Sequence, residues 1–294
     1  MNDSNLFKSL VELIRVTSTN LPEDVVNKIK TFAASEATGS KAAYAMNVIE
    51  QNIALAKDRS APICQDTGTV LIYVYHPTNF SQLAFKGECD NAIRISTQKG
   101  YLRPNSVNPI TGKNSDDNVA SGHPTYHFIE HDQKNVIIKL ILKGGGCENV
   151  GAQYALPHSL LNADRNLEGA RKVILDAIVK AQGNGCAPGI LGVCIGGDRG
   201  TGYVFSKEQF FRKMDDTNPD PVLAKLEERI VKEVNTLGIG PMGFGGLSTI
   251  LGCKIGILNR LPASYFVTIS YMCWAYRRQG VELSSENLIN SWLY

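Results

Sequence analysis

Apolar residues recur every three or four positions in several stretches of the chain, which is the spacing of one buried face of an α-helix. The first stretch follows residues 21–24 (Leu-Pro-Glu-Asp), where a proline and two acids suit a first helical turn. Further stretches of this kind cover residues 40–56, 82–99, 167–181 and 221–237. We therefore predict that the first sixty residues are helical and that three longer helices follow.

Compact runs of β-branched and aromatic residues predict buried strands. Such runs lie at 70–75, 136–142, 190–195, 253–258 and 265–271. They alternate with the helical stretches, and this order favours an α/β protein with mixed sheets flanked by helices. Residues 103–124, rich in Asn, Asp, Ser, Gly and Pro, are predicted to form a long loop. Loops of this length without their own structure are uncommon in compact domains and are often functional.

Composition narrows the classes of protein. The chain has 294 residues, 43% of them hydrophobic, which is enough for one large or two ordinary domains. Its net charge of +2 arises from basic residues interspersed with acids, which argues against a nucleic-acid partner. No apolar run approaches the roughly 20 residues of a membrane span, and the first residues do not resemble a secretory signal. We expect no membrane partner and a cytoplasmic location, where an odd number of cysteines would stay reduced.

Three cysteines, far apart in the chain, stand in short distinctive segments. They are Cys64 in Ile-Cys-Gln-Asp-Thr-Gly, Cys186 in Gly-Cys-Ala-Pro-Gly, and Cys273 in Tyr-Met-Cys-Trp-Ala-Tyr-Arg-Arg. If the fold brings them together, three thiolates can hold three irons of a [4Fe-4S] cluster and leave the fourth open as a Lewis acid. The alternative is that these cysteines are small buried hydrophobic residues. No C-x-x-C pair is present, so a zinc ribbon, a dithiol site and a ferredoxin run are not predicted.

Two glycine-rich segments, at 144–146 and 238–246, allow the backbone to approach a ligand closely, or else form tight turns. Neither matches a dinucleotide fingerprint directly after a strand, and no P-loop is present, so nucleotide binding is not indicated. The five histidines form no H-E-x-x-H or other compact metal pair. A G-x-S-x-G nucleophile elbow is also absent from the sequence.

Five sequence blocks, taken together and in order, resemble the class I, iron-sulfur fumarases and the related L-tartrate dehydratases. They are Cys-Gln-Asp-Thr-Gly at 64–68, Lys-Gly-Gly-Gly at 143–146, Cys-x-Pro at 186–188, Gly-Ile-Gly-Pro-Met-Gly at 238–243 and Cys-Trp-Ala-Tyr-Arg-Arg at 273–278. The resemblance covers nearly the whole chain. It implies a domain of the class I fumarase N-terminal type over residues 1–294, with residues 1–60 as a helical lead-in.

The resemblance implies a metal site and an activity. In that family, cysteines at the positions of Cys64, Cys186 and Cys273 bind a [4Fe-4S] cluster, and the open iron binds the hydroxyl and a carboxylate of malate. The implied reaction is the hydro-lyase interconversion of fumarate and (S)-malate, a step of the tricarboxylic acid cycle. An iron-bound hydroxyl is a better leaving group, which makes chemical sense of the cofactor.

The resemblance also implies which residues meet the substrate. Gln65 and Asp66 match catalytic residues that line the site. The residues implied to bind the small dicarboxylate are Gln65, Asp66, Arg103, Gly144, Gly145 and Gly146. An arginine and backbone amides suit this role because they offset the charge of a dicarboxylate.

Related enzymes complete their site with a β subunit or a C-terminal domain, which supplies further arginines, a lysine and the proposed base. The resemblance therefore implies an α subunit or N-terminal domain in a hetero-oligomer, inactive alone. Two positions leave the substrate open: Leu261 stands where a histidine is usual, and Cys147 stands where many fumarases have serine and the tartrate enzymes have cysteine. The alternatives are dehydration of L-tartrate or another 2-hydroxy diacid, and a non-catalytic iron-sulfur subunit that senses redox state.

Overall fold

The computed structural model describes residues 4–294, which form two compact units. The first unit comprises the described residues up to Glu23 together with Gln51–Gly145 and Arg277–Tyr294. The second comprises Asp24–Glu50 and Gly146–Tyr276. Each unit contains one mixed sheet flanked by helices, so the predicted fold class is confirmed. Across residues 4–294, no helix combines the length and the apolar content needed to span a bilayer.

Most predicted elements are present, with bounds that differ by a few residues. The helices within residues 4–294 are α1 (Asn5–Thr19), α2 (Glu23–Ala33), α3 (Lys41–Arg59), α4 (Gln82–Gln98), α5 (Gly145–Asn149), α6 (Leu167–Ala181), α7 (Arg199–Glu208) and α8 (Pro221–Asn235). The strands are β1 (Thr69–His76), β2 (Thr125–Glu130), β3 (Val136–Lys143), β4 (Ala152–Ala155), β5 (Gly189–Gly196), β6 (Ile250–Leu258), β7 (Phe266–Met272), β8 (Arg278–Leu283) and β9 (Ile289–Trp292). The elements that the periodicity did not predict are α5, α7, β2, β4, β8 and β9, all of ten residues or fewer.

The first unit is built on a sheet with the strand order β2-β1-β3-β8-β9. β1 and β2 are parallel, and the other neighbours are antiparallel. Val70, Ile72 and Val74 alternate along β1 and face an apolar core shared with α1 and α4. α1 begins after Ser4, whose hydroxyl accepts a hydrogen bond from the N–H of Phe7 and so caps the helix. The sheet and these two helices therefore share one continuous core.

The second unit is built on a sheet with the strand order β4-β7-β5-β6, in which β5 and β6 are parallel. α6, α7 and α8 flank it. α8 starts as its sequence predicts, with Pro221 at the first turn and the carboxylate of Asp220 accepting from the N–H of Val222 and Leu223. The buried apolar positions of α8 include Leu226 and Ile230, which belong to the predicted stripe.

The segment at 103–124 has no helix or strand, as predicted. Its regular backbone pairing consists of isolated bridges between Val107 and Asn114 and between Ala120 and His123. Side chains of the segment supply further hydrogen bonds, so the loop is ordered by polar contacts and lacks an apolar core of its own. A loop held in this way can present polar groups in a fixed geometry.

Gly87 in α4 and Gly169 in α6 offer a matched test of how closely these two helices are packed by their surroundings. A Cβ added at Gly87, exposed within α4, meets no atom within 4 Å, whereas one added at Gly169 in the first turn of α6 would lie 1.9 Å from the carbonyl O of Asp164. We expect Gly87→Ala to raise the free energy of unfolding by about 0.5–1 kcal/mol through helix propensity. Gly169→Ala should lower it by about 1–3 kcal/mol through overpacking. Urea unfolding measures both, and shifts of the same sign would contradict the packing around Gly169.

Candidate functional site

Antiparallel pairing gathers three segments at one end of the first unit's sheet. β1 begins at Thr69, β3 ends at Lys143 and β8 begins at Arg278. Because β3 is antiparallel to both β1 and β8, these three termini lie at the same end, and Thr69 pairs directly with Lys143. The segment that precedes β1, Gly144 and Gly145 after β3, and Arg277 before β8 are therefore neighbours at this end.

Asp66 lies in the segment before β1, and each of its carboxylate oxygens accepts a hydrogen bond. Nδ2 of Asn105 donates to Oδ1 over 2.6 Å, and the backbone N–H of Gly145 donates to Oδ2 over 2.7 Å. The N–H of Asp66 itself donates to Sγ of Cys64 over 3.4 Å. Hydrogen bonds to a carboxylate are charge-assisted and short, so the two donors fix the orientation of the group. Gln65 is exposed beside it.

Arg103 is anchored next to this segment through its backbone. Oγ1 of Thr67 accepts from the N–H of Arg103 over 2.8 Å and lies 2.9 Å from its carbonyl O. Thr67 is buried, whereas the side chain of Arg103 is exposed. The structure thus brings the predicted residues Gln65, Asp66 and Arg103 together, with a rigid backbone beneath a guanidinium that reaches solvent.

The glycines at this sheet end have different structural roles. Gly68 has a φ of +76°, and a Cβ there would lie 2.2 Å from the carbonyl O of Lys143, so the position requires glycine. Gly145 and Gly146 take no positive φ and instead open α5. Both are exposed, and the N–H of Gly145 is already donated to Asp66. Of the predicted triple glycine, Gly145 therefore contacts Asp66 through its backbone amide, whereas Gly144 is buried.

The second unit brings together two of the three predicted cysteines. β5 begins at Gly189, β7 ends at Met272, and the two strands are antiparallel, so the residues before β5 and after β7 lie at one end of the sheet. The carbonyl O of Cys186 accepts a hydrogen bond from the N–H of Trp274 over 3.3 Å. Cys186 is half-buried with a φ of +56°, and Cys273 is buried.

The second glycine-rich segment, 238–246, borders the Cys186 segment. It precedes β6, which is parallel to β5 and so begins at the same sheet end. The N–H of Met242 donates to the carbonyl O of Ala187 over 2.9 Å. At the far end of the loop, the carboxylate of Glu36 accepts from the N–H of Ser248 over 2.7 Å and fixes the backbone. These hydrogen bonds thus hold the loop in place beside the sheet end that bears Cys186 and Cys273.

Tyr271 packs beneath the same segment, and three thiols lie near it. A Cβ added at Gly185 would lie 2.5 Å from Cε1 of Tyr271, so the phenol ring fits only because that position is glycine. Burial raises the pKa of Tyr271, and the neighbouring thiols of Cys273, Cys147 and Cys186 raise it further. Cys147 therefore lies in the neighbourhood of the two predicted ligands of this unit.

The other cysteines are core residues. Cys89, Cys194 and Cys253 are buried, and none of the seven cysteines forms a disulfide. Burial raises the pKa of Cys89 and of Cys194 to about 12, and it also raises that of Cys253. These three thiols are consequently protonated near neutral pH and are unsuited to binding metal.

The predicted cluster ligands fit an iron-sulfur cluster in donor chemistry. Within residues 4–294, no three His, Cys, Asp or Glu side chains form a group close enough to hold a metal ion. The cysteine ligands of a cluster bind different irons, so they need not converge on one point as the ligands of a single ion do. Cys64 in the first unit, and Cys186 and Cys273 in the second, supply three thiols outside any disulfide.

Comparison with known proteins identifies the family. The family model described as "Fumarate hydratase (Fumerase)" matches residues 7–282. The chain belongs to the fumarate hydratase family. The match to the family model covers nearly all the described residues, including every predicted site residue.

Three relatives of this fumarate hydratase family member differ in length. A provisionally named class I fumarate hydratase of Geobacillus stearothermophilus is 46% identical over 293 residues, which cover 98% of this chain and 57% of that protein. The L(+)-tartrate dehydratase subunit alpha of Escherichia coli K12 is 31% identical over 302 residues, covering 98% of this chain and 97% of that subunit. A provisionally named L(+)-tartrate dehydratase subunit alpha of Methanocaldococcus jannaschii is 31% identical over 274 residues, with coverage of 92% and 94%. The chain thus spans little more than half of the first relative and nearly all of the other two.

Asn105 and Arg277 are not among the predicted site residues of this fumarate hydratase family chain. Asn105 lies two residues after Arg103, and the polar composition of its loop was the only sequence indication of a role. Arg277 precedes β8 and is buried, and none of its three guanidinium nitrogens has a hydrogen-bond acceptor among the described residues. Arg277 stands in the Cys-Trp-Ala-Tyr-Arg-Arg block, so the sequence indicated that this segment is distinctive. It did not indicate that the Arg277 side chain is buried.

Leu261, one of the two positions that leave the substrate open, lies in the turn between β6 and β7 and is 74% exposed. Nη1 of Arg260 organises this turn by donating to the carbonyl oxygens of Leu261, Pro262 and Ser264. The turn is therefore held by backbone carbonyls, and the leucine side chain adds no polar group to it.

Alkylation of the iron-free chain checks the assignment of the thiols. With iodoacetamide at pH 8, we expect Cys64 and Cys186, which are half-buried, to react before Cys89 and Cys194. A thiol whose pKa is about 12 is ionised in roughly one molecule in ten thousand at pH 8, and only the thiolate reacts. Peptide mass spectrometry after timed quenching gives the order, with the urea-unfolded chain as the control in which all thiols react. Early labelling of Cys89 or Cys194 would contradict their burial.

Proposed function

We propose that this chain is the α part of a two-part hydro-lyase that interconverts fumarate and (S)-malate with a [4Fe-4S] cluster. The observation that carries the proposal is that both carboxylate oxygens of Asp66 are held by hydrogen bonds. Asp66 lies directly beside Cys64, at the sheet end where Arg103 is anchored. Membership of the fumarate hydratase family supports hydro-lyase chemistry. We further propose that residues 1–294, including the helical lead-in at 1–60, act as one functional domain.

We propose that Cys64, Cys186 and Cys273 hold the cluster. When bound, it supplies an open iron that acts as a Lewis acid on a substrate oxygen. The chain's own contribution at two of these cysteines is a hydrogen bond that fixes them: the N–H of Asp66 donates to Sγ of Cys64, and the N–H of Trp274 donates to the carbonyl O of Cys186. A reducing compartment, such as the cytoplasm, keeps these thiols available.

The charges at the end of the first unit's sheet support an anionic substrate. Arg103 exposes its guanidinium there, and Arg277 has no hydrogen-bond acceptor among the described residues. Two positive groups without a paired carboxylate create a local field that attracts anions. Fumarate and malate each carry two carboxylates, and an arginine can bind one of them through two parallel hydrogen bonds.

We assign Asp66 and Gln65 to orienting the reacting groups. An ionised carboxylate offers about four lone-pair sites, and the donors from Asn105 and Gly145 occupy two of these on Asp66. The remaining sites can accept hydrogen bonds from a substrate hydroxyl or from the attacking water. Gln65, exposed beside it, both donates and accepts.

The backbone amides of Gly144 and Gly146 are the candidates for binding a substrate carboxylate, since the amide of Gly145 donates to Asp66.

We propose that the base that takes the carbon-bound proton belongs to the companion part of the enzyme. This companion is a β subunit or a C-terminal domain, and the assembly is a hetero-oligomer. The greater length of the Geobacillus relative, of which the chain spans 57%, supports a second part.

L-tartrate is the second candidate substrate. Two relatives named as alpha subunits of tartrate dehydratase match the chain over nearly their whole length. Cys147, at which the resemblance implies a cysteine in the tartrate enzymes, lies in the neighbourhood of Cys186 and Cys273. Tartrate carries one hydroxyl more than malate, and polar contacts to that hydroxyl determine such a choice.

The cluster assignment is tested by anaerobic reconstitution of the full chain with iron and sulfide. We expect about four irons per chain and an EPR signal, after reduction, that changes when malate is added. Cys273→Ser should lower the bound iron and change the signal, because serine replaces a thiolate ligand. Cys253→Ala, a buried cysteine of β6, is the control and should retain the iron. An unchanged iron content in Cys273→Ser would refute the ligand set.

The activity is tested with the chain co-expressed with a companion that supplies the part of the Geobacillus protein it does not span. We expect hydration of fumarate by the assembly and none by the chain alone. Arg103→Lys should raise KM about tenfold, because lysine does not form the two-pronged contact of arginine with a carboxylate. Arg59→Lys, exposed at the end of α3, is the matched control. A kcat/KM that is higher for L-tartrate would favour the second candidate, and no turnover of any diacid would refute the hydro-lyase.

A further inference from the structure

We propose that Asn105 is a positioning residue that orients the carboxylate of Asp66, and that Asn118 holds Asn105 in place. This inference rests on the proposed function, since Asp66 is the carboxylate assigned to orient the substrate. It begins from a feature of the first unit: the side chain of Asp66 is fixed by a loop residue 39 positions away in the sequence.

The contact of Asn105 with Asp66 has a defined polarity. A carboxylate only accepts hydrogen bonds, so the group of Asn105 that lies 2.6 Å from Oδ1 is its NH2. On the other side, the N–H of Gly145 holds Oδ2 at 2.7 Å. A carboxylate rotates about the bond to its Cβ, and one donor on each oxygen restricts that rotation. Losing Asn105 would leave only the donor from Gly145.

Asn118 holds the backbone of Asn105 in place. Its Oδ1 accepts from the backbone N–H of Asn105 over 2.7 Å, and its Nδ2 donates to the carbonyl O of Arg103 over 2.9 Å and to Oγ1 of Thr97 over 3.0 Å. The side chain is buried, and its φ of +62° lies in the left-handed region that asparagine adopts more readily than most residues. Asn118 therefore holds both Arg103 and Asn105 through a single amide.

The choice of a neutral donor has a chemical consequence. The two donors that hold the carboxylate of Asp66 are an amide side chain and a backbone N–H, and neither donor carries a charge. A neutral donor fixes the carboxylate without cancelling its charge, which an adjacent arginine would do. Asp66 is thus held by two donors, and its remaining lone-pair sites stay open to the hydroxyl or water that it orients.

Variants at position 105 separate orientation from mere space filling. Asn105→Asp keeps the size of the side chain but replaces the donor with a second carboxylate facing Asp66, whereas Asn105→Ala removes the donor together with the rest of the amide. If the donor is what matters, the urea midpoint of the full chain falls in the order wild type, Asn105→Ala, Asn105→Asp, because like charges in contact repel. The double variant Asp66→Asn with Asn105→Asp reverses the hydrogen bond and should recover most of the midpoint lost in Asn105→Asp. The isosteric Asn105→Leu, which keeps the volume without a donor, should lower the midpoint as Asn105→Ala does; if Asn105 only fills space, Asn105→Leu would match the wild type.

Activity of the assembled enzyme gives the second readout. We expect Asn105→Ala to lower kcat about tenfold or more with KM changed less than about threefold, because orientation of the reacting groups is lost while Arg103 stays in place. Asn114→Ala is the matched control: it removes a side-chain hydrogen bond to Pro104 in the same loop without touching Asp66, and kcat should stay within about twofold. An equal loss of kcat in both variants would refute a specific role for Asn105.

The two readouts fail independently. Absence of turnover in the wild-type assembly would overturn the proposed function, while the urea series would still decide whether Asn105 and Asp66 are coupled. Conversely, normal turnover with no coupling in the urea series would overturn the positioning role and leave the hydro-lyase intact.

Discussion

The pairing of Thr69 with Lys143 is the constraint on which the first unit's site depends. Here the β1–β3 ladder ends, and Gly68 passes so close to Lys143 that a Cβ would lie 2.2 Å from its carbonyl O. This close approach brings Asp66, two residues before Gly68, within hydrogen-bonding distance of the N–H of Gly145. A slip of one residue in the register would turn the side chains of β1 to the opposite face and separate this pair.

The two units present their chemistry by different physical means. In the first, a carboxylate is oriented by hydrogen bonds from Asn105 and Gly145, and the bonds are strong because their acceptor is charged. In the second, the geometry is steric: the ring of Tyr271 occupies space that exists only because Gly185 has no side chain. The site of the first unit is therefore sensitive to the loss of a polar group, whereas the second is sensitive to added volume.

The loop at 103–124 shows how far composition predicts function. Its length and polar content predicted a functional loop without regular structure, and its backbone has this character. Composition did not indicate which of its several asparagines carry the geometry. The buried side chain of Asn118 makes three hydrogen bonds across the loop, whereas the side-chain O of Asn108 accepts from the N–H groups of Ile110 and Thr111 at the exposed loop tip. The difference between them comes from what lies opposite each side chain in space.

The sequence alone determined the long helices and the central strands, because the periodicity that predicts them is a local property; the predicted helix at 167–181 coincides with α6. It also determined the family, since five ordered blocks are specific together. The short strands β4, β8 and β9 were not predictable, because strands of four to six residues are stabilised by the neighbours with which they pair. Only the tertiary structure decided that Asn105 and Gly145, 39 and 79 positions from Asp66, hold its carboxylate. Contacts between such distant segments depend on strand order and register, which no local pattern encodes.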